Sequence, residues 1–428
     1  MDNLSHRKSE LTLLIKDKEG NPITDAKVSY KLSNHQFLFG IGGFDVMNHV
    51  LCSHHDRIKI PDVEMDAETK KQFEKMFMAK EAVFKERTDM ALEIFNYMTL
   101  PFYWGNFEKV EGKPFTEGLM ATAEFLKDRN VKIKGHPLCW HTVCADWLLK
   151  YDDETILKKQ IERIIREVSD FKGVIDMWDV INEVVIMPIF DKYDNAVTRI
   201  CNKYGQVGLV KRVFDAARET NPNATLLLND FNTTPQYEDL IERCLDAGVD
   251  ISVIGIQSHQ HQGYWGKDKL YDVLERFSRF KLPIHFTENT FVSGSLIPKH
   301  IEDLNDWVVT DWPSTPEGEI RQKEQMEEMY RILFANPNVQ GITGWDLADG
   351  AWLNAPSGII RCDNSKKPSY DMLKKLIKEE YSTKGELKTD ENGVVKISGF
   401  KGEYDIEING KTIKAVLGDK ESKEVISL

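Results

Sequence analysis

Eight short β-type runs, separated by longer stretches of helical periodicity, constrain this chain more than any other feature. The runs are Phe37 to Ile41, Tyr97 to Tyr103, Val131 to Gly135, Met177 to Ile181, Thr225 to Asn229, Val253 to Ile256, Ile284 to Thr287 and Gly341 to Trp345. Helices are expected between them, at Glu68 to Phe95, Thr155 to Phe171, Gly208 to Thr220, Tyr237 to Ala247 and Ile320 to Phe334. Alternation of strand and helix favours a parallel sheet, because each parallel pairing needs a long crossover. Eight such units predict an α/β fold, a (β/α)8 TIM barrel. The rival is an open doubly wound sheet, which would want a Gly-rich phosphate loop after its first strand; none follows Ile41.

The two ends of the chain read differently. Leu11-Thr12-Leu13-Leu14-Ile15 and Ala26-Lys27-Val28-Ser29-Tyr30 flank the turn residues Asp17 to Pro22, which suits a hairpin or meander. After Gly385, short β-runs recur around Asp390 to Gly393 and around Asn409-Gly410, a hairpin signal. Neither end has enough apolar residues for a core of its own. The expectation is therefore a small accessory β-sandwich formed by N- and C-terminal strands, residues 9–36 with 384–428, beside a catalytic barrel of residues 37–383. Two separate flaps on the barrel are the alternative.

In a (β/α)8 barrel, chemistry sits at the C-terminal strand ends. Here those ends carry Trp104, His136 with Trp140 and His141, Glu183, Asp230 with Asn232, His259, Glu288, and Trp345 with Asp349. Two of the runs close on a glutamate: Trp178-Asp179-Val180-Ile181-Asn182-Glu183 and Phe286-Thr287-Glu288. A carboxylate is costly where an apolar strand meets a pocket unless chemistry requires it. Two, on the fourth and seventh strands of a narrow barrel, can face each other across a glycosidic bond. A retaining glycosidase needs one carboxyl to give and take a proton and another, about 5–5.5 Å away, to attack the anomeric carbon. Two unrelated surface glutamates, or a structural ion pair, are the bland alternatives.

Neighbouring residues fit sugar chemistry. Asn182 is placed to hydrogen-bond a sugar 2-hydroxyl, and His259 to hold Glu288 ionised. His141, following Trp140, is expected to reach a sugar hydroxyl; His136 either does the same or braces its strand. Indole is the widest flat partner for the apolar face of a pyranose, so Trp345, Trp352 and Trp104 are candidate pocket walls, with core packing as the ordinary alternative.

Composition serves mainly to exclude. A net charge of −13 disfavours nucleic acid and anionic membranes as partners. No run approaches the ~20 apolar residues of a membrane span. The six cysteines show no CxxC pair and read as free thiols in a reducing compartment. The opening Met1-Asp2-Asn3-Leu4-Ser5 has no apolar signal core, so a cytoplasmic location is expected, or a secreted one if a leader has been trimmed. No cofactor is implied. The close histidine pairs, His54-His55 and His259-x-His261, lack carboxylates at metal-site spacing, so no metal is expected. No nucleophile elbow points to a serine or cysteine hydrolase.

Taken together, these motifs resemble glycoside hydrolase family 10, known for endo-β-1,4-xylanases. The likeness spans residues 40 to 380 or so and rests on six motifs in order. They are Gly135 to His141 with Asp146-Trp147-Leu148, Trp178 to Glu183, Asn229-Asp230-Phe231-Asn232, Gly255 to His259, Thr287-Glu288, and Gly344-Trp345 through Trp352. The resemblance implies Glu183 as acid/base and Glu288 as nucleophile. It also implies sugar contacts from His141, Asn182, Gln257 and Trp345, and a polysaccharide or oligosaccharide as partner. Two stretches depart from the family. Where typical members carry a Glu-Asn pair and a lysine after the second strand, this chain has Leu100-Pro101-Phe102-Tyr103-Trp104-Gly105-Asn106. After Glu288, Asn289-Thr290 replaces the usual acidic residue. The expected activity is retaining hydrolysis of β-1,4-linked xylan or xylo-oligosaccharides. The alternatives are another or a decorated β-glycan and, from a different class, a non-catalytic carbohydrate-binding barrel.

Overall fold

The computed structural model describes residues 4–54 and 78–428, together with Lys71 and Lys75. His55, and most of the first ten residues of the helix expected from Glu68, lie outside the described residues. The strands, in chain order, are β1 (Lys8–Lys16), β2 (Lys27–His35), β3 (Leu38–Gly42), β4 (Tyr97–Pro101), β5 (Lys132–His136), β6 (Met177–Asn182), β7 (Thr225–Asp230), β8 (Val253–Gln260), β9 (Ile284–Phe291) and β10 (Val339–Gly344). There follow β11 (Lys384–Lys388), β12 (Val394–Phe400), β13 (Gly402–Ile408), β14 (Lys411–Leu417) and β15 (Ser422–Ser427).

Strands β3 to β10 close in sequence order into a barrel of eight, each paired in parallel with its neighbours. This is the (β/α)8 barrel expected from the alternation. Both faces of such strands are covered, so β9 is buried at every residue and β7 carries an uninterrupted Leu226-Leu227-Leu228. Several of the covering helices begin on a side-chain cap. Asp152 accepts from the Thr155 N–H ahead of Asp153–Asp170, and Thr315 with Pro316 opens Pro316–Ala335. One glycine is dictated by packing: a Cβ on Gly135 would lie 2.1 Å from the indole of Trp178, which fills the adjoining space.

The terminal strands pair with one another. β1 joins β12 and β15 in one sheet, and β2 joins β11, β13 and β14 in a second. The turn across Asp17 to Pro22 closes with a single antiparallel bridge, Lys16 to Pro22, but does not continue as a hairpin of β1 and β2, which belong to opposite sheets. The turn around Asp390 to Gly393 likewise carries the chain from one sheet to the other. A hairpin would leave Leu11, Leu13 and Ile15 in the same sheet as Val28 and Leu32, with nothing to cover either row. Crossing over buries the two rows within one core. Asn409-Gly410 does close a hairpin, between β13 and β14.

The sandwich is joined to the bottom of the barrel by rings and a cation. The Phe334 ring lies 5.6 Å from His35 and 5.9 Å from Phe400, and Tyr381 lies 6.2 Å from Phe400. Arg7 donates to the carbonyls of Phe334, Asn336 and Val339 at 2.9, 2.6 and 2.7 Å, closing the C-terminal end of the helix Pro316–Ala335. The C-terminal ends of β3 to β10 are thereby left as the open face.

Candidate active site

Glu183 is the first residue beyond β6. Its backbone is left-handed, with φ +58°, a conformation that strains a residue bearing a Cβ. The surroundings hold it there: its N–H donates to Asn229 O at 2.9 Å. Trp140 Nε1 donates to Oε2 at 2.8 Å, while Asn182 Nδ2 and Gln257 Nε2 donate to Oε1, each at 3.2 Å. Glu288 lies within β9, where a register shift between Ile256 and Gln257 sets Gln257 opposite it. Asn229 Nδ2 donates to Glu288 Oε1 at 2.9 Å and to Asn182 Oδ1 at 2.8 Å. The two carboxyls are therefore joined by a relay of side-chain amides, Glu288 to Asn229 to Asn182 to Glu183.

The surroundings pull the two acids apart. Burial, followed by the negative charge of Glu288, pushes Glu183 up to about 8, against the hydrogen bonds from Trp140 and Gln257. Burial would raise Glu288 as well. The positive charge of His136 and the hydrogen bond and charge of His259, with Lys134 behind them, outweigh it and hold Glu288 below the usual carboxylate range. His259 Nε2 donates to Glu288 Oε2 at 3.1 Å, and His136 Nε2 lies 3.8 Å from Oε1. Near neutral pH one carboxyl holds its proton and the other is ionised, the arrangement an acid and a base acting together require.

A buried charge string lies below Glu288. Asp179 receives Lys134 Nζ and His136 Nδ1, both at 2.6 Å, with all three side chains almost wholly buried. Burial raises Asp179, but the Lys134 charge and then His136 outweigh it, so its carboxyl stays ionised below the ordinary range. The stability this lends is present above the ordinary carboxylate pKa and is lost as pH falls through the depressed one. Replacing Asp179 by alanine leaves Lys134 buried and unpaired, and is expected to lower unfolding free energy by about 3–5 kcal/mol in urea denaturation.

Rings form the walls. Trp345 lies 5.3 Å from His136 and 6.0 Å from His259, and Trp352 lies 4.5 Å from His259. Trp140 lies 5.6 Å from Tyr103. His141 is only 1% exposed because the Phe190 ring covers it at 4.4 Å; burial pushes its pKa down to about 4. The structure thus gathers His136, Trp140, His141, Asn182, Glu183, Gln257, His259, Glu288, Trp345 and Trp352 around one opening. It places His136 under Glu288 as a brace.

Trp104 is placed elsewhere, contrary to expectation. Its indole donates to Glu108 at 3.0 Å and packs against Arg163 at 4.9 Å. β4 ends at Pro101 and the short helix Trp104–Phe107 turns that ring away. Tyr103 takes the wall position instead, 5.8 Å from His136; burial and then the charges of Glu288 and Glu183 raise its phenol well above the ordinary value. Asp349 is also elsewhere, bound to Lys367 at 2.6 Å. Asp230 shapes the site indirectly: its carboxyl accepts the Val185 and Asn232 N–H groups at 3.0 and 2.9 Å, fixing the turn after Glu183. Asn229, the centre of the amide relay, was signalled only by its place in the fifth-strand motif. Of the histidine pair, His261 is fully buried and pushed down to about 3, chiefly by burial, with its Nδ1 at 3.1 Å from Thr290 Oγ1.

Fold and site together define a class: a (β/α)8 barrel carrying two buried, linked carboxyls at the C-terminal ends of its strands. The chain belongs to glycosyl hydrolase family 10, whose sequence profile matches residues 63–376. It is similar to an endo-1,4-beta-xylanase/feruloyl esterase of Xylanibacter ruminicola, 25% identical over 315 residues, which cover 66% of this chain and 42% of the relative. The chain therefore spans less than half the length of that relative. It is 28% identical over 272 residues to a beta-1,4-xylanase of Dictyoglomus thermophilum, covering 60% of this chain and 73% of the relative. The crystal structure of xylanase 10B from Thermotoga petrophila, in complex with xylobiose, shares the fold. Its TM-score is 0.60 at 18% identity, over 81% of this chain and 95% of that one.

Proposed function

We propose that this chain is a retaining glycoside hydrolase that cleaves β-1,4-linked xylan or xylo-oligosaccharides. The observation that carries the reading is the joining of Glu183 and Glu288 by one relay of side-chain amides, with surroundings that push the first up and hold the second down. Ionised Glu288 attacks the anomeric carbon as the glycosidic C–O bond breaks, and Glu183 gives its proton to the departing oxygen. The sugar is then esterified to Glu288. With that negative charge gone, the pKa of Glu183 falls and its carboxylate takes a proton from water. The water oxygen attacks the anomeric carbon, Glu288 departs as carboxylate, and Glu183 is again protonated. Asn182 offers its amide to the sugar's 2-hydroxyl, Asn229 holds Asn182 and Glu288 in place from beneath, and Trp345 and Tyr103 offer flat faces. The xylanase relatives support xylan as the substrate class.

A second reading, hydrolysis of a different or decorated β-glycan by the same steps, is favoured by one observation. From the stretch Leu100 to Trp104 the site receives the Tyr103 ring, where typical members hold a sugar with a Glu-Asn pair and a lysine. Product analysis on soluble xylan, xylo-oligosaccharides and a panel of other β-glycans separates the two. Release of xylo-oligosaccharides supports the first; turnover only on another glycan replaces it.

The pH profile of kcat/KM follows from the two acids. Activity needs Glu288 ionised and Glu183 protonated in the free enzyme. The acidic limb is expected below the ordinary glutamate range. The alkaline limb should begin at about 8, with a tenfold fall per pH unit beyond it, where Glu183 loses its proton. A profile still rising at pH 9 would contradict the assignment.

A further inference from the structure

The segments that follow the two glutamates meet beyond the C-terminal ends of the barrel strands. Lys192, beyond Glu183, pairs with Asp303 at 2.5 Å and Asp306 at 2.7 Å, both beyond Glu288. β6 and β9 are not neighbours in the barrel: β7 and β8 lie between them, carrying Asn229 and Gln257. A direct contact between the two segments must therefore span the ends of those strands.

Both sides of this bridge are built to hold their shape. The segment after Glu288 has its own apolar cluster, in which Val292, Ile297 and Trp312 are buried. It is tied down by Gln262 Nε2, which donates to the Pro298 and Ile301 carbonyls at 3.0 and 2.7 Å. The segment after Glu183 is anchored at its start by Asp230 and carries Phe190, which packs on His141 and, at 4.9 Å, on Tyr193. His141 Nδ1 is buried beneath Phe190 without a hydrogen-bond partner.

Glu183 gives its proton to the leaving group, so the side of the opening on which its own following segment lies is the leaving-group side. This step rests on the retaining-hydrolase reading. We propose that the Lys192–Asp303–Asp306 bridge bounds the leaving-group side, and that it makes the enzyme specific for short leaving groups. The substrates it selects are glycosides whose departing part is one or two sugars or a small aglycone, cut near a chain end. An unbridged cleft would accept the interior of a polymer. Lys192 and the two aspartates are specificity-determining residues on this account: they touch no reacting atom and set what length of leaving group fits.

The test compares kcat/KM on an aryl β-xylobioside, on xylohexaose and on soluble xylan for the wild type, Lys192→Ala and Lys192→Glu. All three positions of the bridge are at least one-third exposed, so the variants are expected to fold, and thermal melting checks this. The wild type should favour the aryl glycoside and release one- or two-unit products from the reducing end of xylohexaose. Lys192→Ala should raise the ratio of kcat/KM on xylan to that on the aryl glycoside by about fivefold, the population shift a half-exposed ion pair can hold. Lys192→Glu, which sets like charges against each other, should raise it further. Wild-type cleavage in the interior of xylan, with a ratio unmoved in both variants, would overturn the proposal. Absence of turnover on the aryl xylobioside and on xylan in the wild type would overturn the xylan reading, and the proposal with it.

Discussion

Replacing Glu288 by alanine or glutamine is expected to lower kcat by about four orders of magnitude or more, since on the retaining reading the variant loses the group that forms the covalent intermediate. The effect should appear with every leaving group, because attack on the anomeric carbon precedes all later chemistry. Glutamine keeps the shape of the side chain and its amide can still meet Asn229 and His259, so thermal melting separates lost chemistry from lost fold. Removing the carboxylate also removes the second-largest influence on Glu183. Titration of Glu183 in Glu288→Gln, followed by NMR of labelled glutamate, should therefore shift below the value of about 8 that it has in the intact site. Near-normal turnover in either variant would sink the nucleophile assignment.

Glu183→Gln should show the second large effect, and a different pattern. On an unactivated xylo-oligosaccharide the departing oxygen needs a proton, and kcat/KM is expected to fall about 10²–10⁴-fold, the usual worth of a general acid. On an aryl glycoside whose phenolate leaves without protonation, formation of the glycosyl-enzyme should be nearly spared. Its hydrolysis should then be slow, because no carboxylate activates water. A burst of phenolate followed by a slow steady state is the signature. The alkaline limb of kcat/KM should vanish with the side chain that produced it. Equal losses on both kinds of substrate, with no burst, would assign the proton to another group.

The two variants together test the electrostatic split at the centre of the site. A glutamate pair buried in one pocket cannot both ionise cheaply. Here the imbalance is produced by position: Glu288 sits over His136, His259 and the Lys134–Asp179 pair, whereas Glu183 meets an indole N–H and neutral amides. Asp179 matters for the same reason. It holds His136 beneath Glu288, so its loss should weaken the fold and the nucleophile together.

Short-range pattern was enough for much of this molecule. The alternation of apolar runs and helical periods encodes a closed parallel barrel, because a strand covered on both faces must be apolar throughout and each crossover must be long. Glu183 and Glu288 stand out for the converse reason: a carboxylate at the end of such a strand has no packing role. The aromatic and histidine residues around them could be read from the same strand ends. Other features depended on contacts between residues far apart in the chain. The turn at Asp17 to Pro22 reads as a hairpin, yet the sandwich sends β1 and β2 to opposite sheets because each needs the other's apolar row as its cover. Tyr103 and Trp104 are adjacent in the chain, and where β4 ends decides which ring faces the site. Asn229 becomes the centre of the amide relay only when β6, β7 and β9 come together. The protonation split depends on which charges lie beneath each glutamate, and the Lys192 bridge on two loops that meet across the barrel. Periodicity records which face of an element is buried; it carries no record of the partner from a distant element that buries it.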